Sequence, residues 1–176
     1  MIKSDMGNIE FRLVTEKDHK DFGETHCSVF IDCYTGFLPQ EFINQRCASY
    51  RDEAKFHERI SNKNADAYLL YVDNKPMGCV VFGKLRGNDA KDKDGEIWSL
   101  NFKKESHGKG YSKMAVEFAE KKLYELGFKN IYLWCLKDNH RARNFYENKN
   151  GYKPTNVTRD QMLAGIPFPE IRFIKS

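Results

Sequence analysis

Apolar and polar residues alternate from Ile9 to Val14 (IEFRLV), the two-residue period of a strand with one buried face. Thr15, with Asp18 three positions on, forms a capping-box pattern, so a helical region is predicted to begin there. From Glu16 to about Ser61 the period lengthens: Phe22, Phe30, Phe37, Phe42, Phe56 and Ile60 recur at helix-like intervals. Gly36 and Pro39 punctuate this stretch into two or three helices. Ala67 to Val72, the turn Asp73-Asn74-Lys75, and Pro76 to Phe82 read as an antiparallel hairpin. Glu96 to Phe102 is a further strand, and its alternation places Glu96, Trp98, Leu100 and Phe102 on one face.

Past Gly110 the pattern becomes helical again, with Tyr111, Met114, Ala115, Phe118, Ala119, Leu123 and Leu126 on one half of the wheel and Gly127 as C-cap. Lys122 interrupts this stripe by snorkelling. Asn130 to Leu136 (NIYLWCL) is nearly continuously apolar, the mark of a strand covered on both faces. The strand–helix–strand order implies a parallel pair with a right-handed crossover. Asn139 caps a short helix with Ala142, Phe145 and Tyr146 on one side, ending at Asn150-Gly151. Tyr152 to Val157 and Glu170 to Ile174 then close the chain as strands around a Met/Pro-rich loop, Gln161 to Pro169. The expectation is one α/β (α+β) domain over residues 1–176, with a mixed central sheet of about six to seven strands and helices on both faces.

Composition narrows the classes. The chain has 176 residues, 40% hydrophobic and 14% aromatic, which is too much core-forming side chain for disorder. Lys and Arg number 29 against 25 Asp and Glu, and the two signs are interspersed, even in the Asp89 to Asp94 run. A nucleic-acid partner is therefore not expected. No apolar run reaches about 18 residues and MIKSDMGNIE is not a signal peptide, so neither a membrane association nor secretion is expected and the chain reads as cytoplasmic. Five cysteines without CxxC or HExxH spacing point to reduced thiols and no metal site.

The candidate chemistry begins at Lys103 to Lys113 (KKESHGKGYSK). Two glycines ahead of a helix expose backbone N–H groups beside the positive end of the helix dipole, a setting suited to a phosphate or diphosphate. Lys103, Lys104, Lys109 and Lys113 add charge. GxxxxGK[ST] is absent, and GxGxxG is represented only by Gly108-Lys109-Gly110, so neither a P-loop nor a dinucleotide fingerprint fits.

Glu96 to Tyr152 resembles the core of the GNAT superfamily of N-acetyltransferases, which use acetyl coenzyme A (acetyl-CoA). His107-x-x-Gly110-x-Ser112 is similar to its Arg/Gln-x-x-Gly-x-Gly/Ala signature, departing at two side chains while keeping the backbone amides. Asn139-His-Arg-Ala142-Arg-Asn-Phe145-Tyr146-Glu147, followed by Gly151-Tyr152, resembles its Asn-x-x-Ala-x-x-Phe/Leu-Tyr-Glu segment. Phe30 and Tyr34 to Pro39 resemble the start of many bacterial members, where these helices wall the acceptor site.

The resemblance implies a sheet splayed at its fourth and fifth strands. Pantetheine would lie along the backbone of Leu100, Asn101 and Phe102, and an N–H near Leu100 would polarise the thioester carbonyl. The diphosphate would sit on the amides of His107, Gly108, Lys109, Gly110, Tyr111, Ser112 and Lys113, with Asn139 also at the cofactor. As an N-cap, Asn139 needs no ligand. Tyr146 matches the tyrosine that gives a proton to the departing thiolate, although a core aromatic would also occupy its place. Glu96 is the candidate general base, a carboxylate partly desolvated against Trp98; a strand-edge carboxylate is the plainer reading. Tyr34 and Trp98 are candidate acceptor contacts. Asp32 and Glu41 would suit a cationic acceptor, and Cys135 is expected to be inert. The implied function is acetyl transfer from acetyl-CoA to a primary amine, a small molecule or a peptide, by direct attack in a ternary complex without a metal. A coenzyme A-binding sensor with little catalysis is the alternative. The terminal strands and the Gln161 to Pro169 loop are candidate surface for a homodimer.

Overall fold

The hairpin expected at Asp73-Asn74 supplies the simplest local rule in the computed structural model, which describes residues 7–176. Both turn residues have positive φ (48° and 62°), the mirror-image turn whose twist suits two antiparallel strands. It joins β2 (Ala65–Val72) to β3 (Lys75–Lys84). The other strands are β1 (Ile9–Leu13), β4 (Asp94–Phe102), β5 (Asn130–Leu136), β6 (Lys153–Leu163) and β7 (Ile166–Lys175). The helices are α1 (His19–Tyr34), α2 (Gln40–Arg51), α3 (Glu53–Ile60), α4 (Tyr111–Glu125) and α5 (His140–Asn144). Together the strands form one mixed seven-stranded sheet in the order β1-β2-β3-β4-β5-β7-β6, with β4 and β5 parallel. The N-terminal stretch read for a signal peptide lies mostly outside the described residues. No helix among the described residues is long and apolar enough to cross a membrane.

Two compact units make up the chain. The first comprises Met1–Val81 with Ser99–Ala115. Its capping box forms as expected: the Thr15 N–H donates to Asp18 Oδ2 at 2.7 Å, and Asp18 N–H donates back to the Thr15 carbonyl. A short 3-10 turn then leads into α1. Phe22 and Phe56 pack with Val14, Leu69, Tyr71 and Cys79, all buried. Tyr71 donates its hydroxyl to Asp21 at 2.6 Å, tying α1 to β2. The Asp52 side chain caps α3 by accepting from Lys55 N–H.

The second unit comprises Phe82–Trp98 with Val116–Ser176. Here α4 lies against the Gly95 face of β4: a Cβ at Gly95 would stand 3.0 Å from Leu123 and 3.1 Å from Phe128. Phe82 meets Phe118 of α4, whereas Cys79, an odd number of residues away on β3, packs among the residues of the α1 side. Helices thus cover both faces of the sheet.

Three elements differ from the sequence reading. In β5, Ile131, Leu133 and Cys135 are buried but Tyr132, Trp134 and Leu136 are only half-buried. Arginines of β6 and β7 lie over their rings: Arg159 is 4.0 Å from the Trp134 centroid and Arg172 5.2 Å from that of Tyr132. Gln161 to Pro169 is not a loop. β6 and β7 pair through it, Asp160↔Pro169 and Met162↔Pro167 included, and turn at Ala164-Gly165 with positive φ at both. Leu126, placed on the buried stripe, is 62% exposed because α4 ends before it.

Candidate active site

In the first unit, the cofactor-edge candidates are the last residues of β4. The β4–β5 register runs only from Asp94↔Asn130 to Ile97↔Leu133, so Leu100, Asn101 and Phe102 have no partner in β5. Phe102 is held down by a missing side chain: a Cβ on Gly78 of β3 would fall 2.4 Å from its ring and 2.8 Å from the Asn101 carbonyl. Lys103 N–H continues the ladder to the Met77 carbonyl at 3.0 Å. Asn101 also contacts the Cys79 thiol, which in turn lies 3.7 Å from His26 Nε2. Burial pushes the Cys79 thiol up to about 12 and the His26 imidazole down to about 4, so both are neutral at pH 7.

The strand then tightens into a 3-10 turn at Lys104–Ser106, where buried Ser106 hydrogen-bonds the Lys103 carbonyl and the His107 ring reaches the Phe102 carbonyl at 3.3 Å. Gly108 and Gly110 follow with φ of 78° and 82°, the left-handed region where a side chain would be strained. Their reversal delivers the chain into α4. Lys113 and Met114 N–H both turn back to the Gly110 carbonyl, whereas the amides of Gly108, Gly110 and Ser112 meet no acceptor among the described residues. Lys104, Lys109 and Lys113 are exposed around them, and open space surrounds both glycine α-carbons. Unsatisfied N–H groups at the positive end of a 15-residue helix, ringed by lysines, fit a diphosphate.

The second unit carries the acid–base candidates. Asn139 is an N-cap: its Oδ1 accepts from Ala142 N–H at 3.0 Å. After one turn α5 widens into a π turn, Phe145–Lys149, whose freed carbonyls are taken by Asn150 Nδ2 (to Phe145, 2.9 Å) and Tyr152 N–H (to Tyr146, 3.0 Å). Tyr146 sits in this turn, half-buried between Phe145, Tyr152 and Phe173 at ring distances of 5.3 to 6.3 Å. Its hydroxyl has no hydrogen-bond partner among the described residues. Burial pushes the phenol well above its ordinary value, which keeps it protonated and able to donate. Cys135 is likewise pushed up, to about 12, and is inert as expected.

Glu96 is fully buried, but its neighbour is not the bare indole expected. Arg86 from the β3–β4 loop intervenes. Its backbone N–H and Nε donate to Oε2 at 3.0 and 3.3 Å, and its Nη2 donates to Oε1. The same guanidinium lies 4.4 Å over the Trp98 ring, while Trp98 Nε1 donates to the Lys84 carbonyl. Both oxygens of the candidate base are therefore engaged. Nothing local in the sequence marks Arg86 as that partner. Of the acceptor-wall candidates, Tyr34 ends α1, stacked on Phe30 at 4.6 Å, and belongs to the first unit; Asp32 and Glu41 are exposed.

Comparison with known proteins agrees with this geometry. The acetyltransferase (GNAT) family profile matches residues 28–152. Comparison with curated protein sequences gives no match. Among solved structures, the chain is similar to the PaiA N-acetyltransferase of Thermoplasma acidophilum in complex with coenzyme A, at 20% identity and a TM-score of 0.76, covering 96% of this chain and 99% of that one. It is also similar to an N-acetyltransferase of Staphylococcus aureus Mu50 (14%, TM-score 0.71, 97% and 99% covered). A third is the ribosomal-protein-alanine N-acetyltransferase of Brucella melitensis (12%, TM-score 0.69, 94% and 98% covered). With well over half its length matched, from α1 through the strand–loop–helix to the Tyr146 turn, the chain belongs to the acetyltransferase (GNAT) family.

Proposed function

We propose that this acyltransferase moves the acetyl group of acetyl-CoA to a primary amine by direct attack in a ternary complex. The observation that carries the reading is the set of unpaired amides at Gly108, Gly110 and Ser112, ahead of α4 and continuous in sequence with the end of β4 that lacks a β5 partner. Acetyl-CoA brings an activated thioester with a weakly basic thiolate as leaving group. Leu100, Asn101 and Phe102 would offer it strand backbone, and the Leu100 N–H would polarise the carbonyl being attacked. His107 to Lys113 would hold the diphosphate, with the lysines balancing its charge.

Tyr146 would protonate the thiolate, a role supported by its unpartnered hydroxyl and by burial that keeps it neutral. The amine must lose a proton, and Glu96 is the carboxylate proposed to take it. Arg86 already donates to both of its oxygens, so that transfer would need a water bridging amine and carboxylate. Trp98 and Tyr34 would bound the acceptor, and Asn139 would lie near the cofactor while capping α5. A coenzyme A-binding sensor with little catalysis is favoured by one observation, the occupied carboxylate of Glu96. The two readings separate on free thiol: acetyl-CoA with a panel of primary amines should release coenzyme A in proportion to acetylated amine, and binding without amine-dependent release would leave the sensor.

A further inference from the structure

The half-buried face of β5 carries groups that neither catalysis nor packing uses. Glu96 and Tyr132 are register partners on β4 and β5, and Trp134 is the register partner of Arg172 on β7, so these side chains project on one face of the second unit. Three guanidiniums lie over its aromatic rings: Arg86 over Trp98, Arg172 over Tyr132 and Trp134, and Arg159 over Trp134. Each is also fixed by a carboxylate: Glu96 for Arg86, Asp89 for Arg172 at 2.7 Å, and Glu170 for Arg159 at 2.6 Å.

Two donors on this face nonetheless have no acceptor. Trp134 Nε1 and Arg172 Nε are both buried and unpaired among the described residues, and Arg172 as a whole is only 8% exposed. Four carboxylates meet this face, and each already accepts hydrogen bonds: Glu96, Asp89 and Glu170 from the arginines, and buried Asp94 from Lys91 N–H and Asn130 Nδ2. An incoming oxygen that only accepts would find the two vacant N–H groups plus the unused edges of three arginines.

We infer that this face receives a carboxylate of the acceptor, so that the amine acetylated belongs to an amino acid or a peptide bearing a free carboxylate rather than to a polyamine. The inference rests on the acetyl-transfer reading and names its substrate class. Glu96, at the edge of the same face, places the proton acceptor beside the anion site.

Two measurements test it. With acetyl-CoA saturating, amino acids are compared with their own carboxamides and with aliphatic diamines. The expected result is a kcat/KM at least tenfold higher for the carboxylates, a preference that Arg172→Lys narrows through KM. Diamines or carboxamides outperforming the amino acids would overturn the inference. Because Arg172→Lys could perturb folding, the second measurement uses the wild-type protein, with and without coenzyme A. The indole N–H resonance of Trp134, assigned with Trp134→Phe, is followed during titration with N-acetyl-β-alanine and with N-acetylpropylamine. A saturable downfield shift with the carboxylate alone is expected; no shift at millimolar concentration overturns the anion site. Failure to bind acetyl-CoA would instead sink the acetyl-transfer reading, and the indole titration would still decide the anion site by itself.

Discussion

Tyr146 is where a single hydroxyl is asked to do measurable work. Removing it should leave the ring packing against Tyr152 and Phe173 intact, so Tyr146→Phe is expected to lower kcat at least about tenfold, within the usual contribution of a general acid. Stability should change little, and an unaltered kcat would take the residue out of the mechanism. Glu96→Gln should lower kcat/KM at least about tenfold, within the usual contribution of a general base; an unchanged value would assign proton removal to water alone. His26 gives a test of stability rather than rate. It titrates near 4 in the fold against an ordinary 6.5, so below pH 6.5 the unfolded chain takes up a proton that the native chain refuses. Stability should therefore fall between pH 6.5 and 4 by on the order of 2 kcal/mol from this group. Urea midpoints should show a shallower fall for His26→Phe across that window, and parallel curves would contradict the buried neutral imidazole. Asn139, Thr15 and Asp18 were legible in the sequence because their hydrogen bonds span three residues. Arg86 on Glu96 and His26 on Cys79 join positions 10 and 53 residues apart, and no local pattern announces such pairs.

At the scale of elements, the end of β4 depends on Gly78. Gly78→Ala would drive a methyl group into the Phe102 ring and the Asn101 carbonyl, a clash that costs about 1–3 kcal/mol and displaces the backbone proposed for pantetheine. Both a lower urea midpoint and weaker acetyl-CoA binding are expected; a midpoint drop with unchanged affinity would detach Leu100 to Phe102 from the cofactor. Most elements followed from periodicity alone, including the α4 start behind Gly110 and the strands about it. β5 misled because Tyr132 and Trp134 count as apolar, while their rings in fact support guanidiniums. The last hairpin was hidden by Pro167 and Pro169, residues that read as loop but stand on a strand that pairs through to its turn. The π turn around Tyr146 has no sequence signal of its own; it follows from how Asn150 and Tyr152 take up the loosened carbonyls.

For the whole molecule, 29 basic against 25 acidic side chains distributed along the chain leave no field strong enough to name a partner, and the acceptor has to be read from one face of the sheet. The family follows from the strand–loop–helix and the Tyr146 segment; the acceptor class we infer rests on side chains brought together by folding. On this reading, peptide nitrogens at 108–112 grip a diphosphate while β4 carries the arm attached to it. Calorimetric titration with acetyl-CoA, set beside acetyl-pantetheine, which lacks the diphosphate, tests it most directly. The expected result is a Kd of roughly 1–100 μM for acetyl-CoA and at least about tenfold weaker binding of acetyl-pantetheine. Equal affinities, or no heat from acetyl-CoA at millimolar concentration, would contradict it.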